Sequence, residues 1–145
     1  MPIHASVAMG PKRIQKPRDP DAEYESDIQR DIIAMLRKHP KVASVERHNS
    51  GTAMEMDSEG NKRFVKYNTV YKVRGVRMRK VDIDCTLING KRFVCEVKKP
   101  PFTRPRDQRE YEQENYINHV RAATGYGLFA TSVLEVDAAL AAIQI

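Results

Sequence analysis

The chain has 145 residues, and 25 Lys and Arg against 19 Asp and Glu give it a formal net charge of +6. This length fits one domain and excludes a second large one, while the positive charge favours a polyanionic partner. No apolar run is long enough to span a membrane, and the two cysteines lack CxxC spacing, which indicates neither a zinc cluster nor a disulfide framework. We therefore expect a cytoplasmic protein with no membrane association.

The first segment is basic and rich in proline. Residues 1–18 show no apolar period and predict an arm that either contacts DNA or is a solvated tail, of which the tail is favoured. Asp19-Pro20 predicts the start of a helix and of the domain, which we take as residues 19–145. Apolar residues from Ile28 to Leu36 recur at helical spacing, and Pro40 ends the helix.

The middle of the chain predicts short strands. Val42 to Arg47 alternates weakly, and Asn49 to Gly51 marks a turn. Residues 52–68 are polar, with a hairpin tip predicted at 58–61. The stretch from Tyr67 to Lys80 predicts strands and turns with one strongly cationic side.

The last half alternates strands with helices. Strands are predicted at Val81–Leu87 and Lys91–Lys98, joined at Asn89-Gly90. A polar helix follows from about Pro105 to Ala123, then a buried strand at Tyr126–Thr131. A capping box at residues 132–135 opens a final helix. The predicted fold is α/β, with a mixed central sheet flanked by helices.

Charged residues lie within the two hydrophobic strands. Asp82 and Asp84 share one strand face, and Glu96 and Lys98 share one face of the neighbouring strand. Converging carboxylates repel one another unless a cation neutralises them, and hard oxygen ligands suit Mg²⁺ or Mn²⁺. A lysine beside such a metal can orient or deprotonate an attacking water.

The turn between these strands decides whether the acidic residues meet. A two-residue turn at Asn89-Gly90 would put Asp82 and Glu96 on opposite faces of the sheet. A three-residue turn that begins at Ile88, with Gly90 at positive φ, brings Asp82 opposite Glu96. We therefore predict the three-residue turn.

The pattern of Asp82 followed by Glu96-Val97-Lys98 resembles the D…(D/E)-X-K signature of the PD-(D/E)XK nuclease superfamily. Further motifs resemble its VRR-NUC branch, the virus-type replication-repair nucleases. These are the first-helix Glu25, the turn from Arg47 to Gly51, and Gln108 at the start of the later helix. The segment Arg79-Lys80-Val81 replaces the usual Gly-x-Pro, which leaves Asp84 as the second choice for the catalytic aspartate.

The resemblance implies a restriction-endonuclease-like sandwich and an Mg²⁺- or Mn²⁺-dependent endonuclease, acting on branched DNA such as Holliday junctions or flaps and forming a homodimer. It implies catalytic roles for Glu25, Asp82, Glu96, Lys98 and Gln108. The implied metal ligands are Glu25, Asp82, Glu96 and Val97.

A second group of residues is predicted to contact DNA, mainly through phosphates. Its members are polar or basic residues near the turn after the first strand and along the cationic segment. They are Arg47, Asn49, Ser50, Lys62, Arg63, Lys66, Lys72, Arg74, Arg77, Arg79, Lys80 and Lys99.

Simpler interpretations remain open for each residue. Asp82 and Glu96 could form cross-strand ion pairs, Glu25 could only favour the helix dipole, and Gln108 could be a surface residue. The four histidines show no metal-ligand spacing. Other functions also remain open: a non-catalytic DNA-binding or assembly module, or a sequence-specific endonuclease of restriction type.

Overall fold

The computed structural model describes residues 24–48, 52–66 and 70–145. Within these ranges the chain forms three helices and eight strands, in mixed α/β order. The elements are α1 (Glu25–Lys38), β1 (Val42–Arg47), β2 (Thr52–Met56), β3 (Lys62–Lys66), β4 (Val70–Val73), β5 (Val76–Arg79), β6 (Ile83–Leu87), β7 (Arg92–Val97), α2 (Gln108–Ala122), β8 (Tyr126–Ala130) and α3 (Val133–Ala141).

The central sheet has four strands in the order β1-β6-β7-β8. β6 is antiparallel to β1 and to β7, whereas β8, which follows α2, is parallel to β7. The sheet is therefore mixed, as predicted. β2 with β3 and β4 with β5 form two separate antiparallel hairpins.

Both faces of the sheet are covered. Alternate residues of β6 and β7, such as Cys85 and Cys95, pack with α1 and α3 in one apolar cluster. Val94, on the opposite face of β7, packs with Tyr116 of α2 and Met78 of β5 in another. Both cysteines are buried and free. The helices thus enclose the sheet and leave its strand ends to form clefts.

The turn between β6 and β7 has the predicted three-residue form. Gly90 has a φ of 81°, and the Leu87 N–H donates to the Lys91 carbonyl at 2.8 Å. The strands then pair without a bulge as far as Ile83 opposite Cys95. Because the next pair along the strands is Asp82 and Glu96, the turn sets these two carboxylates side by side.

Two helix starts differ from the predictions. Tyr24 is extended and caps α1, so this helix does not begin at Asp19-Pro20; residues 1–23, with the predicted arm, lie outside the described residues. α2 begins at Gln108 rather than near Pro105, because the Asp107 side chain accepts the Glu110 N–H at 2.8 Å. Ser132 caps α3 as predicted, since its Oγ accepts the Glu135 N–H at 3.2 Å, but the Glu135 side chain accepts from the Thr131 N–H, at 3.4 Å, and not from that of Ser132.

The prediction of a buried strand at β8 is wrong in part. β8 lies at the edge of the sheet, and within it only Ala130 is fully buried. None of the helices in the described ranges is long and apolar enough to cross a membrane.

Candidate active site

A cleft of about 490 Å³ opens where β6 begins and β7 ends, between the N-terminal ends of α1 and α2. It contains four of the five residues predicted to be catalytic. Its lining residues are Glu25, Gln29, Arg47, His48, Asp82, Glu96, Lys98, Asp107, Arg109 and Glu110. The cleft therefore brings together residues that are as far apart in the sequence as Glu25 and Glu110.

Asp82 and Glu96 hold each other in place through the main chain. The Asp82 N–H donates to Glu96 Oε2 at 2.9 Å, and the Val97 N–H donates to Asp82 Oδ2 at 3.1 Å. These bonds replace the regular pairing of the two strands beyond Ile83. Val97 reaches the site only through its main chain, because its side chain is buried in the core on the other face. The result is a fixed pair of carboxylates, of which Glu96 is only 3% exposed.

The two carboxylates resist ionisation together. The pKa of Glu96 is raised to about 8, first by burial and then by the carboxylates of Asp82 and, least, Glu25, while Lys98 opposes the rise. Burial also raises the pKa of Asp82, and the Val97 N–H partly offsets this. At neutral pH the pair therefore retains a proton, which a cation bound between the carboxylates would displace.

Lys98 lies between two carboxylates. Its Nζ is 3.7 Å from Glu96 Oε1 and 3.8 Å from Glu110 Oε2, and its side chain is only 15% exposed. This position places the Lys98 amino group beside Glu96 at the wall of the cleft. Glu110 was not identified from the sequence, since nothing in the pattern of α2 distinguishes it from other charged helix residues.

The predicted downstream glutamine, Gln108, is exposed and does not line the cleft. The glutamine that contacts the site is Gln113, one and a half turns later, whose Nε2 donates to Glu96 Oε1 at 2.7 Å. Gln113 is buried, and its own Oε1 has no hydrogen-bond partner among the described residues. Because α2 is polar on most sides, its sequence does not indicate which of its polar residues is buried against the sheet.

Replacing Gln113 by methionine is expected to lower the free energy of unfolding by about 1–3 kcal/mol, because Glu96 then loses a buried donor. The matched control is Gln108→Met, which alters an exposed position of the same helix and is expected to change stability by less than about 0.5 kcal/mol. Urea denaturation at neutral pH measures both. Equal effects of the two substitutions would contradict the role given to Gln113.

Asp84 lies away from the cleft. Its carboxylate pairs with Arg92 and accepts a hydrogen bond from the Tyr116 hydroxyl at 3.3 Å. Asp84 shares a strand face with Asp82, as predicted, but its carboxylate contacts Arg92 and Tyr116 of α2. Of the two aspartates, only Asp82 lines the cleft.

The donor set of the cleft fits a hard cation held mainly by two carboxylates. In the ranges that the structure describes, no three His, Cys, Asp or Glu residues come together closely enough to bind a metal ion. Mg²⁺ commonly takes only one or two protein carboxylates and fills its remaining positions with water and substrate phosphate. Asp82 and Glu96 meet that requirement, and Glu25 faces them across the cleft.

Among the described residues, Arg47 is the one predicted DNA contact that lines the cleft. Its neighbour His48, which was not among the predicted site residues, also lines it. The His48 N–H donates to the Asp82 carbonyl at 2.8 Å, and its Nδ1 lies 3.0 Å from the Val81 carbonyl. Arg109 of α2 was missed as well. Asn49 and Ser50 lie outside the described residues.

The other predicted DNA contacts lie on the hairpins and loops. Arg77 and Arg79 of β5 both pair with the buried Glu112 of α2, at 3.2 and 3.7 Å. Their charges therefore hold the β4–β5 hairpin against α2. The exposed residues are Lys62, Arg63, Lys72, Arg74, Lys80 and Lys99, and the side chain of Lys66 lies outside what the structure describes.

Comparison of the chain with models of known families, with curated proteins and with solved structures finds no match to any of them.

Proposed function

We propose that the chain is a metal-dependent endonuclease that hydrolyses DNA phosphodiester bonds in the cleft between α1 and α2, with the sandwich architecture of restriction endonucleases. The observation that carries the proposal is the buried contact between Asp82 and Glu96 with Lys98 beside it. A non-catalytic DNA-binding module needs a basic surface but gains nothing from burying two adjacent carboxylates, which costs stability.

In this mechanism Asp82 and Glu96 would hold Mg²⁺ or Mn²⁺, with Glu25 lining the same cleft. When bound, the ion would lower the pKa of a water molecule and stabilise the charge that develops on the phosphate. Lys98 orients the attacking water, because its ammonium group is held between Glu96 and Glu110 on the cleft side. Gln113 keeps the Glu96 carboxylate in a fixed orientation from behind.

Arg47 and Arg109 give the cleft a positive rim. Both line it, and Arg109 lies near enough to Asp82 to lower the pKa of that carboxyl, although the rise caused by burial is larger. The two guanidinium groups would hold phosphates on either side of the reacting bond. We also propose a cytoplasmic location, because two free cysteines are compatible with a reducing compartment.

The test is cleavage of labelled linear, flapped and four-way DNA by the full chain, with Mg²⁺, with Mn²⁺ and with a chelator. We expect cleavage only with a divalent cation, and a loss of at least about a hundredfold in Lys98→Ala. Lys91→Ala is the matched control, since Lys91 is an exposed lysine at the opposite end of β7. DNA binding without cleavage under every metal condition would favour the non-catalytic module.

The finer part of the proposal is a homodimer that acts on branched DNA. One cleft hydrolyses one bond, so paired cuts in a four-way junction require two copies related by a two-fold axis. The β2–β3 hairpin is the proposed contact: Met56 is 65% exposed at its end, while the side chains of Met54, Phe64 and Val65 lie outside what the structure describes. Light scattering should give twice the mass of one chain. In the cleavage assay, the two strands of the four-way junction should be nicked in pairs. A monomer that cuts linear duplex as fast as a junction would contradict this part.

A further inference from the structure

A second cleft of about 270 Å³ runs along the outer side of α1 and adjoins the candidate active site, with which it shares Gln29 and Arg47. None of its lining residues is acidic. They are Ser26, Gln29, Arg30, Ile33, Ala34, Arg37 and Arg47, all within the described ranges, and we call this surface the α1 groove.

Two of the three arginines of the α1 groove are available to a ligand. The exposed side chains of Arg37 and Arg47 form no hydrogen bond or ion pair with any other described residue. Arg30 is partly neutralised by Asp27 and Asp31, at 3.5 and 3.4 Å. Guanidinium groups that are permanently charged and unpaired are suited to binding phosphate oxygens.

The α1 groove is also long enough to contact several phosphates of one nucleic-acid strand. Arg30 and Arg37 are seven residues apart, which is about 10 Å along a helix. Along the duplex axis a strand of B-form DNA advances about 3.4 Å per nucleotide, so a helix that lies along this axis spans about three phosphates over this distance. Arg47 lies where the groove meets the active-site cleft.

We propose that the α1 groove binds the backbone phosphates of the nucleic-acid strand whose reacting bond lies in the active-site cleft, over about three nucleotides on one side of that bond. The proposal rests on the proposed function and adds a strand path along α1. In the β4–β5 hairpin Arg77 and Arg79 are paired with Glu112, whereas Arg37 and Arg47 form no hydrogen bond or ion pair with another described residue.

Arg37 has a simpler role that the experiment must separate from this one. It lies in the last turn of α1, where a positive charge stabilises the helix dipole. Lys38 occupies the same turn and is equally exposed, but it does not line the α1 groove. Lys38→Gln therefore removes the same charge from the same turn and is the matched control for Arg37→Gln.

The experiment measures the affinity of the full chain for a labelled duplex of about 20 base pairs in chelator, between about 50 and 200 mM salt. Arg37→Gln is expected to lower the slope of log affinity against log salt by about 1, as the loss of one phosphate contact does. Its loss of affinity relative to the unaltered chain is then about threefold larger at the low salt concentration than at the high one. Lys38→Gln should leave the slope unchanged.

The possible outcomes distinguish a failure of this inference from a failure of the proposed function. Equal slopes for Arg37→Gln and Lys38→Gln would overturn the α1 groove and leave the nuclease proposal intact if cleavage is observed. A reduced slope in Arg37→Gln, together with no cleavage by the unaltered chain in Mg²⁺ or Mn²⁺, would support the groove as a nucleic-acid site and overturn the nuclease proposal. Failure of the unaltered chain to bind duplex at low salt would overturn both.

Discussion

Asp82→Asn is expected to abolish metal-dependent cleavage, with a loss of at least about a hundredfold, while the fold and most of the DNA affinity remain. The substitution removes the negative charge that faces Glu96 in the cleft. It keeps an oxygen that can accept the Val97 N–H, so the local structure has no reason to change. DNA affinity depends on the basic surface, which is a separate and salt-sensitive contribution.

Asp84→Asn is the matched control for Asp82→Asn. It removes the same charge two residues later, where the carboxylate is paired with Arg92 and does not line the cleft. Cleavage per folded molecule should survive it. Single-turnover cleavage and a DNA-binding curve are measured for both variants. Activity retained in Asp82→Asn would contradict the proposed site. Activity lost only in Asp84→Asn would instead identify Asp84 as the catalytic aspartate. Glu96→Ala is expected to behave like Asp82→Asn.

In the absence of divalent cations, the free energy of unfolding is expected to fall as pH rises from about 4.5 to about 8. Glu96 keeps its proton in the folded chain up to about pH 8, against an ordinary pKa of 4.5. Between these values the folded state binds the proton and the unfolded state does not, so raising the pH favours unfolding. The raised pKa of Asp82 acts in the same direction.

Glu96→Gln removes the titrating group and should flatten this pH dependence, whereas Glu59→Gln, at an exposed turn position, should not. Mg²⁺ should stabilise the unaltered chain more at high pH, because the ionised pair binds it better. Urea denaturation across this pH range, with and without Mg²⁺, measures both effects. A flat profile for the unaltered chain, or an unchanged slope in Glu96→Gln, would show that the carboxylates titrate normally.

The strand register of the site could be predicted from the sequence because the determining signals are local. Gly90 at positive φ selects the turn, and the two-residue period of a strand then places Asp82 beside Glu96. The role of Gln113 could not be predicted in this way. Its contact with Glu96 depends on how α2 is rotated against the sheet, and a helix that is polar on all sides carries no periodic signal of that rotation.

His48 and Glu110 were missed for a related reason. Both lie at element ends whose positions depend on packing between distant parts of the chain. The same dependence on packing explains why the pairing of Arg77 and Arg79 was not predicted, since the charge pattern alone assigns both to DNA contacts. Only the packed structure reveals that Glu112 is buried beneath them. Sequence patterns therefore identified the carboxylates of the site but not the residues that orient them.

Consecutive residues of α2 serve two different parts of the molecule. Glu112 is tied to the arginines of the β4–β5 hairpin, and Gln113 is tied to the Glu96 carboxylate. Because the two residues are adjacent in one helix, the depth at which α2 packs sets both contacts at once. The helix thus connects the base of the hairpin to the floor of the cleft.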